Sequence, residues 1–315
     1  GQVLHDNLCP HVKRVLDRAQ AGELPPLAGM VIMDSCDAMR RLADAWRAVR
    51  RSEPVALIDL PTDASERSIA FLAGALEQLS EQLAAWSGQA VSLEGLTASM
   101  RAYDTLATDL QQVIERAGRG RLPGGRLALQ RLLNRSVTAP PDAVMNELAE
   151  LETGAEATES PPDGVPVFLF GNVLPDPEAF ALLEQCGAHV AGDDLCTGSR
   201  QLVPFAVTEP AATRDELLTA LARSVLQRPS CARTLGVADS VALAKRLADQ
   251  AQACQARGII AHVMKFCDPY LARLPNVSQH LEQNGMPLLV LEGDCTMRSL
   301  GQHKTRIEAF VEMLA

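Results

Sequence analysis

From residue 165 onward the chain alternates short apolar runs with amphipathic stretches, and this alternation restricts the fold more than any other feature. Residues 165–171, 188–192, 259–263 and 287–292 have strand length and are rich in β-branched, aliphatic or aromatic side chains. Residues 177–185, 214–226, 240–256, 269–283 and 305–314 place apolar side chains at helical spacing. Strands joined through helices run parallel, because the crossover returns the chain to the same end of the sheet. The pattern predicts an α/β fold in which helices cover a parallel sheet.

The first half starts the same way. Residues 11–20 read as a helix, GMVIMD as a strand, AMRRLADAWRAVRR as a helix, and residues 54–60 as a second strand. Strand signals then fade. Residues 65–151 show 3.6-residue periodicity broken at Gly88, around 118–125, and at Pro140 and Pro141, which predicts several helices. The acidic, proline-rich segment 154–165 reads as a linker. The expected organisation is two domains with parallel, helix-covered sheets and a helical insertion between them: an α/β unit with the helical region over 1–153, and an α/β domain over 166–315.

Composition narrows the partners and the compartment. A net charge of −10 without a basic stripe argues against nucleic acid. No apolar run has membrane-spanning length and the start GQVLHDNLCP does not read as a signal peptide, so a cytoplasmic location is expected. The absent initiator Met implies a processed or truncated N-terminus. Eight widely spaced cysteines fit reduced thiols or metal ligands better than a disulfide framework. HExxH, GxSxG, Walker A and GxGxxG patterns are absent, which weakens hydrolase, P-loop and dinucleotide readings.

The cysteines carry the chemistry. In GIIAHVMKFCDPY, Cys267 falls between the end of a strand and the start of a helix, with Asp268 expected to cap that helix and Pro269 to occupy its first position. SCDAMRR after GMVIMD repeats the arrangement around Cys36, and Cys9 precedes Pro10 at another helix start. A helix N-terminus favours the thiolate, and ligand sites of open α/β sheets lie beyond the carboxyl ends of strands. Position alone leaves two readings for Cys9, Cys36 and Cys267: small structural residues, or thiolates that converge on iron. Cys186 and Cys254 lie within helical patterns and read as core. Cys196 and Cys295 follow strands and Cys231 sits in a connection, so these three are possible additional ligands. The arginines 116, 119, 121, 126, 131 and 135 read as a solvated helix face and loop.

Taken together, Cys9–Pro10, SCDAMRRLADAW, SGQAVSLEGLTASMRAYDTL, GAHVAGDDLCTGSR, MKFCDPY and GQHKTRIEAFVEML resemble the 2-hydroxyacyl-CoA dehydratase and benzoyl-CoA reductase family along essentially the whole chain. The resemblance implies a 4Fe-4S cluster on Cys9, Cys36 and Cys267, or a larger double-cubane cluster of eight irons using further thiols. It also implies an acyl-CoA substrate, a related second subunit or homodimer mate, and an ATP-hydrolysing iron–sulfur activator that delivers a low-potential electron. In the dehydratases that electron makes the β-hydrogen of the thioester acidic enough to leave after the 2-hydroxyl. In benzoyl-CoA reductases the electrons stay in the ring, and the double-cubane branch reduces small molecules. Asp193, Asp194, Arg200, Gln302, Lys304 and Arg306 flank predicted strand ends or the last helix, as candidates for orienting substrate or joining subunits. The competing expectations are a non-catalytic scaffold or electron-relay subunit, and a two-domain small-ligand binding protein without a cluster.

Overall fold

The computed structural model describes residues 3–153, 163–205, 213–234, 239–294 and 301–315. Cys295 and most of the expected linker lie outside them. The chain divides into two compact units, 1–101 with 205–234, and 102–204 with 235–315.

The first unit is built on a parallel pair, β1 (Met30–Asp34) and β2 (Val55–Asp59), in register from Met30 opposite Val55 to Asp34 opposite Asp59. Alternate side chains point to opposite faces of a strand, and each face here has its own helical cover. On one side, α1 (Pro10–Gln20) and α2 (Asp37–Val49) bury Val12, Leu16, Leu42 and Trp46 with Ile32. On the other, α3 (Glu66–Ser87) buries Ile69 and Leu72 with Ile58 and with Ala222 from a later helix, Arg214–Leu226. That helix starts with a full capping box between Thr213 and Glu216.

The second unit holds most of α4 (Leu93–Gly118), then α5 (Gly125–Ser136) and α6 (Pro141–Thr153). These helices share a core of Leu106, Leu110, Leu129, Leu133 and Val144, which Leu202 joins. Of the helical stretch, α3 packs in the first unit and residues 102–153 belong with the later sheet, a division different from the 1–153 and 166–315 expected. Periodicity locates an apolar stripe along a helix but says nothing about which surface covers it.

The sheet of this unit contains β3 (Val165–Gly171), β4 (Ala188–Leu195), β5 (Gly258–Met264) and β6 (Leu288–Gly293). All pairings are parallel, in the order β4-β3-β5-β6. α7 (Glu178–Gln185) and the last helix, Lys304–Leu314, pack on one face through Leu183, Ile307 and Val311. The Arg214–Leu226 helix being α8, α9 (Ser240–Ala253) packs against β3 and β4. The α/β class and the parallel, helix-covered sheets are thus as the sequence predicts.

Three local readings need correction. β4 runs on through Asp193 and Asp194 because both carboxylates are neutralised internally, so charge does not end the strand. The helix read over 269–283 is two, α10 (Asp268–Leu271) and α11 (Leu274–Gln283). Pro275, in the first turn of α11, lacks the N–H that a continuous helix would bond. Third, Arg126 is not solvated. It is 2% exposed, and its Nε donates to Val190 O at 2.7 Å and its Nη1 to Asp193 Oδ2 at 3.2 Å. The last helix of the chain is α12.

Candidate functional site

The strand order fixes where a ligand site belongs. From β3 the chain moves outward to β4, then crosses to the other side of β3 to form β5. The connections leaving β3 and β5 therefore run to opposite sides, and such a switch point, beyond the carboxyl ends of the two strands, is where open α/β sheets place their ligand sites. Cys267 stands three residues beyond the end of β5.

Cys267 is itself the N-cap residue of α10, and Asp268 is the first residue inside the helix, so the expected aspartate cap is corrected. The short turn is held by Cys267 N–H donating to Met264 O at 3.2 Å, and by Cys267 O accepting from Leu271 N–H at 2.9 Å. Phe266 before it takes a left-handed backbone, φ 59°, and leaves its ring 42% exposed. A bulky side chain rarely adopts that conformation without a local requirement.

The end of β3 supplies the neighbours. Gly171 has φ +142°, and a Cβ there would meet His262 O at 1.9 Å, so only glycine lets β3 approach β5 this closely. Asn172 follows, 7% exposed, and donates from Nδ2 to Cys267 Sγ at 3.2 Å. Cys196, just past β4, places its Sγ 3.8 Å from Gly171 O and 3.9 Å from the Tyr270 hydroxyl. Tyr270 donates to Gly171 O at 3.0 Å and packs its ring 5.5 Å from that of Phe170. Cys267 and Cys196 thus share the C-terminal edge of one sheet.

The first unit has a corresponding edge. β1 ends at Asp34, and Cys36 is the N-cap of α2. A concavity of about 380 Å³ opens there, lined by Asp34, Cys36, Arg40, Asp59, Leu60 and Arg233. Arg40 binds Asp34 through Nε at 2.9 Å, and this contact holds the Asp34 carboxyl below its usual range. Arg233 donates to the carbonyls of Leu60, Pro61 and Asp34, lacing the ends of β1 and β2 together. Cys231 lies two residues away, half-buried, and its backbone N–H donates to Thr234 Oγ1 at 2.9 Å. Cys9 is the N-cap of α1, with Pro10 as the first helical residue, and it packs against the apolar core of this unit.

Of the other expected site residues, Asp193, Asp194, Arg200 and Arg306 are engaged within the second unit. Asp193 accepts from Arg126 and from the backbone N–H groups of Leu195 and Ser199. Asp194 pairs with Arg200 at 2.7 Å and Arg246 at 3.4 Å. Arg306 donates to Val290 O at 3.0 Å, Lys304 lies 3.7 Å from Glu308, and Gln302 is exposed. Cys186 ends α7 and is buried in the core, where burial pushes its thiol pKa up. Cys254 ends α9 and lines a separate cavity of about 480 Å³ with Phe168, Gly192 and Gln250.

Among the described residues, neither unit by itself brings three His, Cys, Asp or Glu side chains together as a metal-binding set. Cys9 and Cys36 belong to the first unit and Cys267 to the second. The donor chemistry of each suits an iron–sulfur ligand: a thiol at a helix start, two of them directly past a parallel strand, and one receiving an N–H bond at sulfur. Asn172, Arg233 and Arg40 escaped the sequence reading. The one available signal was the Gly171-Asn172 pair closing a strand. No helix among the described residues is long and apolar enough to cross a membrane.

Comparison with known proteins gives a consistent assignment. The family model described as 2-hydroxyglutaryl-CoA dehydratase, D-component, matches residues 1–314. The chain is 24% identical over 321 residues to the (R)-phenyllactyl-CoA dehydratase beta subunit of Clostridium sporogenes, covering 98% of this chain and 80% of that one. It is 25% identical over 317 residues to the lactoyl-CoA dehydratase subunit beta of Anaerotignum propionicum, covering 97% and 80%. The (R)-2-hydroxyglutaryl-CoA dehydratase subunit beta of Acidaminococcus fermentans is 22% identical over 319 residues, covering 97% and 81%.

Proposed function

This chain belongs to the 2-hydroxyglutaryl-CoA dehydratase D-component family, and we propose that it is a subunit of an enzyme that removes water from a 2-hydroxyacyl-CoA. Cys9, Cys36 and Cys267 are proposed to hold its 4Fe-4S cluster. The observation that supports this ligand set most directly is that each of the three thiols occupies a helix N-cap position. Such a cluster, when bound, supplies single electrons at low potential and an iron site without a protein thiolate. Reduction of the thioester is what makes loss of the β-proton feasible, since that hydrogen is not acidic in the resting substrate.

The protein's own part is to fix the thiols and limit access to them. Arg40 and Asp34 hold the start of α2, and Arg233 ties the β1 and β2 ends on which Cys36 stands. Tyr270 and Phe170 back the Cys267 turn with aromatic surface, which keeps water from its inner side. The relatives' names as beta subunits support a second subunit for this chain, and the same reading requires a separate ATP-driven electron donor.

The test uses the anaerobically purified complex with its activator, ATP and a reductant. Given a 2-hydroxyacyl-CoA, it yields the 2-enoyl-CoA, detected as loss of one water by mass. Given an aryl-CoA, it returns the ring unreduced. Ring reduction in place of dehydration, or no turnover of any 2-hydroxyacyl-CoA by a complex with a full cluster, contradicts the assignment.

A further inference from the structure

Asn172 is the polar residue most completely committed to the Cys267 turn. Each of its hydrogen-bonding functions is used within the second unit. Its backbone N–H donates to His262 O at 3.1 Å, and its backbone O accepts from Cys196 N–H at 3.2 Å. Its side-chain Oδ1 accepts from Met264 N–H at 2.9 Å, and its Nδ2 donates to Cys267 Sγ at 3.2 Å. One residue therefore connects the ends of β3, β4 and β5.

The amide has only one sensible orientation. A backbone N–H can only donate, so the atom facing Met264 must be the carbonyl oxygen. The NH2 group is then left facing the sulfur. Asparagine is the short side chain that offers an acceptor to Met264 and a donor to Cys267 at the same time. Aspartate keeps the first contact and sets an anionic oxygen against the sulfur. The side chain is 7% exposed, so little solvent dilutes the effect.

We infer that Asn172 is a positioning residue for Cys267 that sets its sulfur for the cluster and raises the cluster's reduction potential through the Nδ2–H bond. The inference rests on the ligand assignment proposed above. A bond donated to a ligand sulfur stabilises the more negative, reduced state, so its loss lowers the potential. Partners of this kind typically change metal retention about 10–100-fold when removed.

Two variants are read together: Asn172→Asp retains the acceptor for Met264 but puts an anionic oxygen in place of the donor to sulfur, and Asn172→Ser separates loss of the bond from that added charge. Full-length chain is purified anaerobically, and the cluster is followed by EPR-monitored redox titration and by iron release to a chelator. The pH is kept well above the ordinary carboxylate range. Expected in both variants are a more negative potential and roughly 10-fold faster iron release, with a lowered melting temperature in Asn172→Asp from its buried charge. Asn172→Ser removes the amide without adding charge, shifts the potential the same way, and serves if the aspartate variant does not fold. An unchanged potential and unchanged iron release in the folded variants overturn the inference and leave the ligand assignment standing. A wild-type chain without iron removes the ligand assignment, and this inference with it.

Discussion

At the scale of single residues, buried polar groups decide how the second unit is held. Arg126 and Asp193 are 2% and 3% exposed at their side chains, and burial pushes the Arg126 pKa down while Asp193 pulls it back. Removing one partner leaves the other charge buried and uncompensated. Arg126→Met is therefore expected to destabilise the protein by about 3–5 kcal/mol, read as a lower urea midpoint or melting temperature. His189 and His262 are buried neutral, with pKa values depressed below the ordinary 6.5 by desolvation. For a depressed histidine the unfolded chain takes up its proton first as pH falls. The associated stability is complete above 6.5 and declines as pH drops below that value. Melting temperature should fall on acidification from that point, and the slope should flatten in a His189→Gln/His262→Gln double variant.

At the scale of elements, much was legible and the failures are instructive. The strand GIIAHVM and the helix starts at Pro10 and after Cys36 follow from apolar runs, a proline at the first turn and N-terminal capping positions, all of which are local. The end of β4 was not legible, because Asp193 and Asp194 look like a strand terminator until Arg126, Arg200 and Arg246 are placed beside them. The roles of Asn172 and Arg126 were hidden for the same reason: their partners are 95 and 67 residues away. The thiol positions were readable and their polar neighbours were not. Gly171 tests the strand-end geometry. Replacing it by Ala sets a Cβ against His262 O and forces an L-residue to φ +142°, at a cost of at least about 1–3 kcal/mol. The expected result is a lowered melting temperature together with loosened iron, since Asn172 and Cys267 are displaced with the strand.

At the scale of the whole molecule, the account makes the fold a carrier for thiols at strand-to-helix junctions. The helices between 102 and 153 support the second sheet rather than forming an insertion of their own, with Arg126 driven into β4 as the fastening. The two sheets share a local design, strand then cysteine then helix, and the ligand set proposed here draws on both. Iron and acid-labile sulfide, measured on anaerobically purified full-length chain beside its Cys267→Ala and Cys254→Ala variants, test this most directly. The account predicts about four irons and four sulfides per wild-type chain, retained in Cys254→Ala and lost in Cys267→Ala. Iron and sulfide near zero in the wild type, or a Cys267→Ala variant that keeps its full complement, would contradict it.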